Sequence, residues 1–337
     1  MKKGIFAAAL LVIAVSIGAT AFFARARDEK SIAETAGQAV SAEIDTSVRT
    51  DIATRKAIEE KAQGQYSLKD ITNVLLLGVD NDNVGGLDKL GNADGIMLVS
   101  INNHTKQVTL TSFMRDTKIR QPNEYEKKMT QIYHVGGAEL LIEAIEQNFG
   151  IHIDNYLLVN YLDVIDIVDA LGGFDIELSA DEIRTMAGKI SNIEKLSGRP
   201  IGENALRPEQ AGLLHLNGVQ VASYLRIRPS STNYDSGRTA RARKVVTLIL
   251  EKVKAMSTEE KSVFADKFIP KIETDMSDAD ILAFSMSAST FMDFELYSAK
   301  IPLDGAYKDS NDGNAYIIPD FEINNKYLYE SIYEGKH

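Results

Sequence analysis

Aspartates and arginines recur in this sequence where a phosphate-handling site would need them. Asp80 follows the aliphatic run Asn73–Val79, Asp94 stands before the run Ile96–Ile101, and Arg115-Asp116 follows Val108–Phe113. Charged residues at the ends of such runs fall where open α/β sheets hold their ligands. Two carboxylates beside one sheet edge, Asp80 and Asp94, can share a divalent cation, and hard oxygen ligands suit Mg2+ on a substrate phosphate better than zinc. The plainer reading makes each aspartate a turn cap. Further on, Tyr224-Leu225-Arg226-Ile227-Arg228 reads as the end of a strand starting at Val219, in which alternation points Arg226 and Arg228 to one side. Guanidinium forks match phosphate oxygens in two-point geometry, so the pair suits a diphosphate; a solvated edge strand is the alternative. Each guanidinium about 4 Å from a phosphate charge contributes roughly 4 kcal/mol at an effective dielectric near 20, before desolvation. Asp235-Ser236-Gly237-Arg238 then opens a helix that continues Arg241-Ala242-Arg243-Lys244. A helix N-terminus and these arginines attract anions together, unless the helix simply presents a solvated basic face.

The elements that must position these residues alternate in type, as in an α/β domain. Asn73–Val79 is aliphatic enough for a strand buried on both faces, and Ile96–Ile101 and Val108–Phe113, joined by Asn102-Asn103-His104-Thr105, form a hairpin. Leu141, Ile142, Ile145 and Phe149 share a helical face over Ala138–Phe149, after Gly136-Gly137 and before a stop at Gly150. A strand is expected at Tyr156–Val159, a helix through Val164–Leu171 ending at Gly172-Gly173, and a strand at Phe174–Leu178. Asp181–Arg207 has no clear period and reads as a surface excursion. Val246, Ile249, Leu250 and Val253 mark a long helix, and the tail from Ser277 adds a helix, a strand Phe294–Ile301 and a terminal helix near Asn325–Tyr333.

Composition removes several function classes. The 337-residue chain carries a net charge of −11, which disfavours general nucleic-acid binding, and it has no cysteine for disulfides, thiolate metal sites or a thiol nucleophile. The five histidines show no metal-site spacing, so His104, His134, His152 and His215 read as surface or packing residues. No phosphate-binding P-loop, dinucleotide fingerprint or serine-nucleophile elbow is present. Gly4–Ala24 holds 21 residues without a charge, enough for a membrane-spanning helix, and Ala19-Thr20-Ala21 leaves a cleaved signal peptide as the alternative. Both readings export the rest. Residues 1–27 are thus expected to form an anchor, 28–65 a polar stalk and 66–337 a single domain.

Taken in order, Asn73-Val74-Leu75-Leu76-Leu77-Gly78-Val79-Asp80, Asp94-Gly95-Ile96-Met97-Leu98 and Met114-Arg115-Asp116-Thr117 resemble the opening motifs of the LytR-CpsA-Psr family. Lys128-Met129-Thr130 through Gly136-Gly137, Asp169-Ala170-Leu171-Gly172-Gly173, His215-Leu216-Asn217-Gly218 and Asp235-Ser236-Gly237-Arg238 are similar to its later landmarks. The resemblance implies a single αβα-layered domain around a central mixed sheet, an apolar tunnel for a polyprenyl chain, and a membrane-held, extracytoplasmic position. It implies Mg2+-assisted transfer of a glycopolymer from polyprenyl pyrophosphate to peptidoglycan, with a phosphodiester formed and no nucleic-acid partner. Carried over, Asp80 and Asp94 hold the metal, Arg115, Arg226, Arg228 and Arg238 bind the pyrophosphate, and Asp235 and Lys128 give support. Asp94, Arg115 and Asp116 form the catalytic group, with the general base open between Asp94 and Asp116. The chain departs from the family at Gly95, where Thr is usual, at Ala242, where a pyrophosphate-facing Gln is common, and at Thr130, where Asn is usual. The departures at Gly95 and Ala242 motivate a second expectation, a non-catalytic polyprenyl-pyrophosphate binder that regulates or scaffolds envelope assembly.

Overall fold

The computed structural model describes residues 70–80, 91–122, 125–227, 236–268, 272–277, 291, 293–310 and 316–337. The expected anchor and stalk, and the helix expected just after Ser277, lie outside them. Among the described residues no helix is long and apolar enough to cross a membrane.

The chain runs β1 (Ile71–Asp80), β2 (Asn92–Asn102), β3 (Gln107–Phe113), β4 (Lys118–Arg120), β5 (Glu126–Lys128), α1 (Met129–Phe149), β6 (Asn155–Val159) and α2 (Tyr161–Ala170). It continues through β7 (Phe174–Leu178), α3 (Ala180–Leu196), β8 (Gly212–Leu216), α4 (Gly218–Tyr224), α5 (Ser236–Lys254) and α6 (Thr258–Phe268). It ends with β9 (Glu273–Thr274), β10 (Glu295–Ile301), β11 (Tyr307–Asp309), β12 (Ile317–Pro319) and α7 (Phe321–Tyr333). A six-stranded mixed sheet in the order β10-β3-β2-β1-β6-β9 forms the centre, and β7-β8, β4-β5 and β11-β12 pair as small separate ribbons.

Alternation along β1 and β2 explains the layering. Val74, Leu76, Met97 and Val99 point to one face and pack with α2, α3, α4, α5 and α6; Leu75, Leu77, Ile96 and Leu98 point to the other and pack with α1 and α7. Both faces are covered by helices, which is why the strands read as continuous aliphatic runs. The αβα arrangement expected from the sequence is therefore present.

Two expectations are corrected. The segment from Asp181 is no surface excursion: α3 is capped by Ser179, whose hydroxyl accepts from Glu182 N, and it buries Ile183, Met186, Ile190 and Ile193 along one stripe. Likewise, Val219–Ile227 is not a strand. Asn217 accepts from Gln220 N while Gln220 Oε1 accepts from Asn217 N, each at 3.0 Å, so a capping box starts a helix at Gly218. Every residue of α4 is buried, and a helix buried all round carries no apolar stripe to separate it from a buried strand. Helix α1 also begins earlier than expected, at Met129, and breaks at Gly136 and Gly137 before resuming.

Candidate active site at the sheet edge

Strand directions bring the chemical residues to one edge. β1, β3, β6 and β10 run parallel to one another and β2 runs against them, so the C-terminal ends of β1, β3 and β6 lie beside the N-terminal end of β2. At that edge Gly78 pairs with Gly95 and Val79 with Ala93, which leaves Asp94 as the extra residue of a β-bulge. Asp94 thus lies within β2 rather than ahead of it. A bulge re-aims its side chain out of the regular pleat, and the glycine pair beside it leaves no bulky cross-strand side chains there. The Asp94 carboxylate is 1% exposed and accepts from Arg115 Nη1.

Arg115-Asp116 forms the turn that leaves β3, and backbone bonds clamp it on several sides. Met114 N donates to Ile301 O at 2.7 Å, Thr117 N to Met114 O at 3.0 Å, Thr130 N to Arg115 O at 3.1 Å, and Ile317 N to Asp116 O at 3.1 Å. The charges then continue outward. Arg115 Nε lies 3.5 Å from Asp116 Oδ2, and Lys128 Nζ lies 3.0 Å from Asp116 Oδ1. Alternating charges hold one another in place here, so Arg115 is fixed before any ligand arrives. Asp94, Arg115, Asp116 and Lys128 are brought together as one network.

Arg226 reaches the same edge from another element. It lies in the turn after α4, with its N–H on Ser223 O at 2.9 Å, and its guanidinium stacks 4.6 Å from the centroid of the Tyr161 ring. The strand alternation expected to align Arg226 with Arg228 is therefore absent, because this segment is a helix end. Tyr161 opens α2 directly after β6, so the anchor points of Arg115 and Arg226 are separated by three interstrand steps, about 14 Å. Arg226 is thus placed by Tyr161 at the β6 end of this edge, and Arg115 pairs with Asp94 toward the β3 end. Asp80 ends β1 opposite Asn92, two residues from Asp94. Arg228 and Asp235 lie outside the described residues, as do the side chains of Asp80 and Arg238.

Sequence reasoning missed three supports. Arg241 donates to Ile227 O at 3.4 Å and Gly237 O at 3.3 Å, lies 3.2 Å from Glu182 Oε1, and stacks over Tyr224, joining α3, the turn after α4 and α5. Its charge was visible in the sequence; its partners were not. Tyr161 and Tyr316 were missed too, and only their position after a capping Asn160 and before Ile317 could have marked them. Arg243 turns to Ala299 O at 3.4 Å, and burial lowers its pKa. Ala242 is fully buried in the apolar core, and the buried Thr130 hydroxyl has no partner among the described residues.

No group of three or more histidines and carboxylates suited to a metal occurs among the described residues. Among the described side chains this edge supplies the Asp94 carboxylate, and Asp80 ends the neighbouring strand. A cation such as Mg2+ takes one or two carboxylates and fills its remaining positions with waters and phosphate oxygens. An apolar cavity of about 230 Å³, lined by Val108, Leu250, Phe291, Phe294 and Leu296, lies at the other end of β3, roughly 23 Å from Arg115 at about 3.3 Å per residue. α5 runs from the arginine edge to this cavity, where Lys254 lines it.

Known proteins resemble this chain. A polyisoprenyl-teichoic acid–peptidoglycan teichoic acid transferase TagU of Enterococcus faecalis is 30% identical over 61% of this chain and 62% of its own length. Biofilm regulatory protein A of Streptococcus mutans is 29% identical over 60% of this chain and 50% of its own length. The chain thus spans under two thirds of these two relatives. The Bacillus subtilis protein YwtF (TagT), solved with octaprenyl pyrophosphate lipid bound, superimposes with a TM-score of 0.56 at 20% identity over 80% of this chain and 93% of that one, a likeness of fold. The LytR_cpsA_psr family model matches residues 31–331, and the chain belongs to that family.

Proposed function

We propose that this protein transfers a glycopolymer from polyprenyl pyrophosphate to peptidoglycan, on the outer face of a membrane to which its N-terminal segment anchors it. The observation that carries the reading is the network of the buried Asp94 with the partly buried Arg115, Asp116 and Lys128 at the sheet edge, beside which Arg226 stacks on Tyr161. Phosphoryl transfer asks chiefly for positioning and charge stabilisation, so fixed guanidiniums supply what the reaction needs without a nucleophilic side chain. The transferase name of the Enterococcus relative and the lipid bound in the related fold support the same substrate class.

In this reading Arg115 and Arg226 grip the pyrophosphate, Arg228 and Arg238 add to them, and the polyprenyl chain runs between the sheet and α5 toward the apolar cavity. An acceptor hydroxyl oxygen attacks the phosphorus that bears the glycan. A new P–O bond forms to the acceptor, the bond to the bridging oxygen breaks, and polyprenyl phosphate leaves with the electron pair. The hydroxyl proton passes to a carboxylate of the Asp94 and Asp116 pair. Asp80 and Asp94 would hold Mg2+, which when bound neutralises charge on the diphosphate. Arg241 and Asp235 hold the arginine-bearing turn in register.

The test is to incubate the purified full chain with Mg2+, a polyprenyl-pyrophosphate oligosaccharide and peptidoglycan, beside Arg115→Ala. Attachment by the parent chain and its loss by at least about a hundredfold in the variant is the expected result, from about 3 kcal/mol of lost charge stabilisation. Release of free oligosaccharide phosphate regardless of peptidoglycan would replace transfer by hydrolysis. A second reading, a lipid-pyrophosphate binder that regulates envelope assembly, is favoured by Gly95 beside the bulge and Ala242 in the core; tight donor binding with no product of either kind would select it.

A further inference from the structure

A second recognition surface lies on the other side of Arg115. In the β4–β5 ribbon, Lys118 and Lys128 are direct cross-strand partners, so their side chains leave the ribbon on the same side. Ile119, the next residue, is 1% exposed and joins the core with α1, which turns the lysine side outward. Both ammonium groups then meet one aromatic ring: Lys118 Nζ is 5.4 Å and Lys128 Nζ 5.5 Å from the centroid of Tyr316. Tyr316 is itself only partly buried, and its place is fixed, since its N–H donates to Ser310 Oγ at 3.0 Å and Ile317 N bonds the Asp116 carbonyl at 3.1 Å.

Like charges directly opposite each other on paired strands are unfavourable. Here the lysines are held by Glu126, 2.7 Å from Lys118, by Asp116, 3.0 Å from Lys128, and by the negative face of the tyrosine ring. This set matches a sugar ring carrying an anionic substituent: the anion takes the place of the exposed Glu126 carboxylate on Lys118 while the C–H face of the sugar packs against the part of the tyrosine ring left exposed. The location assigns the source. Arg226, α5 and the apolar cavity lie with one face of the sheet, whereas the ribbon packs with the α1 and α7 face, and Arg115 stands at the edge between them. A lipid-borne donor approaching from the first face leaves the second for the acceptor.

We infer that Tyr316, Lys118 and Lys128 form the acceptor platform, binding a carboxylate-bearing sugar of the acceptor glycan next to Arg115. The assignment to an acceptor rests on the transfer reading above, but its binding test needs no turnover. The full chain is titrated by nuclear magnetic resonance with the disaccharide N-acetylglucosaminyl-N-acetylmuramic acid, with neutral N,N′-diacetylchitobiose, and with a glycerol-phosphate oligomer standing for a donor polymer. Binding of the carboxylate disaccharide at least about fivefold tighter than the neutral one is expected. Tyr316→Ala and Lys118→Gln should each weaken it at least about fivefold, and Tyr316→Phe, which keeps the ring, should stay within about twofold. Thermal unfolding of each variant confirms that it is folded, and Lys118→Gln serves if Tyr316→Ala is not. Equal binding of the two disaccharides, no disaccharide binding, folded variants that bind like the parent, or Tyr316-dependent binding of the glycerol-phosphate oligomer alone would each overturn the inference. Platform binding without transfer in the assay above would sink the enzymatic reading and, with it, the acceptor assignment, leaving a sugar-binding surface at Tyr316.

Discussion

Arg115 is expected to stabilise the empty protein as well as bind its ligand, and the two roles can be separated. Its guanidinium pairs with an Asp94 carboxylate that is only 1% exposed. Removing one partner of a buried pair typically costs about 3–5 kcal/mol, because the remaining charge keeps its desolvation penalty. Arg115 is itself 18% exposed, and the Asp116–Lys128 pair remains nearby, so the lower end applies. Arg115→Ala should therefore lose about 3 kcal/mol, or roughly 6 °C in Tm at about 2 °C per kcal/mol for a domain of this size. Adding Asp94→Asn removes the stranded charge and should recover at least about 1 kcal/mol, so the double variant is more stable than the single one. Urea unfolding of the ligand-free chain, with unchanged m, reads both values. An Arg115→Ala chain within about 0.5 kcal/mol of the parent, or a double variant no better than the single, would refute the buried pairing.

Two further predictions concern pH. His215 donates from Nδ1 to Asp175 and from Nε2 to Gly172 O, each at 2.7 Å, an arrangement that needs the imidazolium; Asp175 first and Gly172 second raise its pKa. A raised folded value gives stabilisation that is full below the ordinary histidine value and lost as pH rises through the folded one. Protection of amides in the β7–β8 ribbon, after division by the intrinsic base-catalysed exchange rate, should fall across that window in the parent and stay level in His215→Gln. Glu194 behaves oppositely: burial raises its pKa, but Gly202 N, Asn204 N and Asn204 Nδ2, at 2.7, 2.7 and 3.0 Å, outweigh it and lower the net value. Its stabilisation is present above the ordinary carboxylate value and lost as pH falls through the folded one. Glu194→Gln should cost about 2 kcal/mol near neutrality in urea unfolding, a difference that shrinks in acid.

The sequence made the sheet legible where residues obey a simple period. The aliphatic runs of β1, β3 and β6 appear at nearly the observed bounds, β2 begins four residues before the run that marked it, and Gly150, with φ of 65°, closes α1 as expected. Arg115 and Asp116 were placed correctly after β3 because a run of buried residues ends there. α4 was read as a strand because all of its residues are buried, so the geometry inferred for Arg226 was wrong. For α3 the signal existed, in the Ser179–Glu182 capping box and the stripe Ile183, Met186, Ile190 and Ile193, but polar residues fill the remaining face. The bulge at Asp94 could not be read at all, since it depends on which residue of β1 opposes which residue of β2. The Tyr316 contact with Lys118 and Lys128 likewise joins segments almost two hundred residues apart.

The most direct measurement is equilibrium binding of a polyprenyl pyrophosphate to the full chain carrying Arg115→Ala, Arg226→Ala, or both. If guanidiniums from β3 and α4 meet at one diphosphate, each single change should weaken binding about tenfold to a hundredfold, as charged hydrogen bonds of about 1.5–3 kcal/mol require, with one ligand bound per chain throughout. Parent-like affinity in Arg226→Ala, or two ligands per chain each lost with a different arginine, would contradict a shared site.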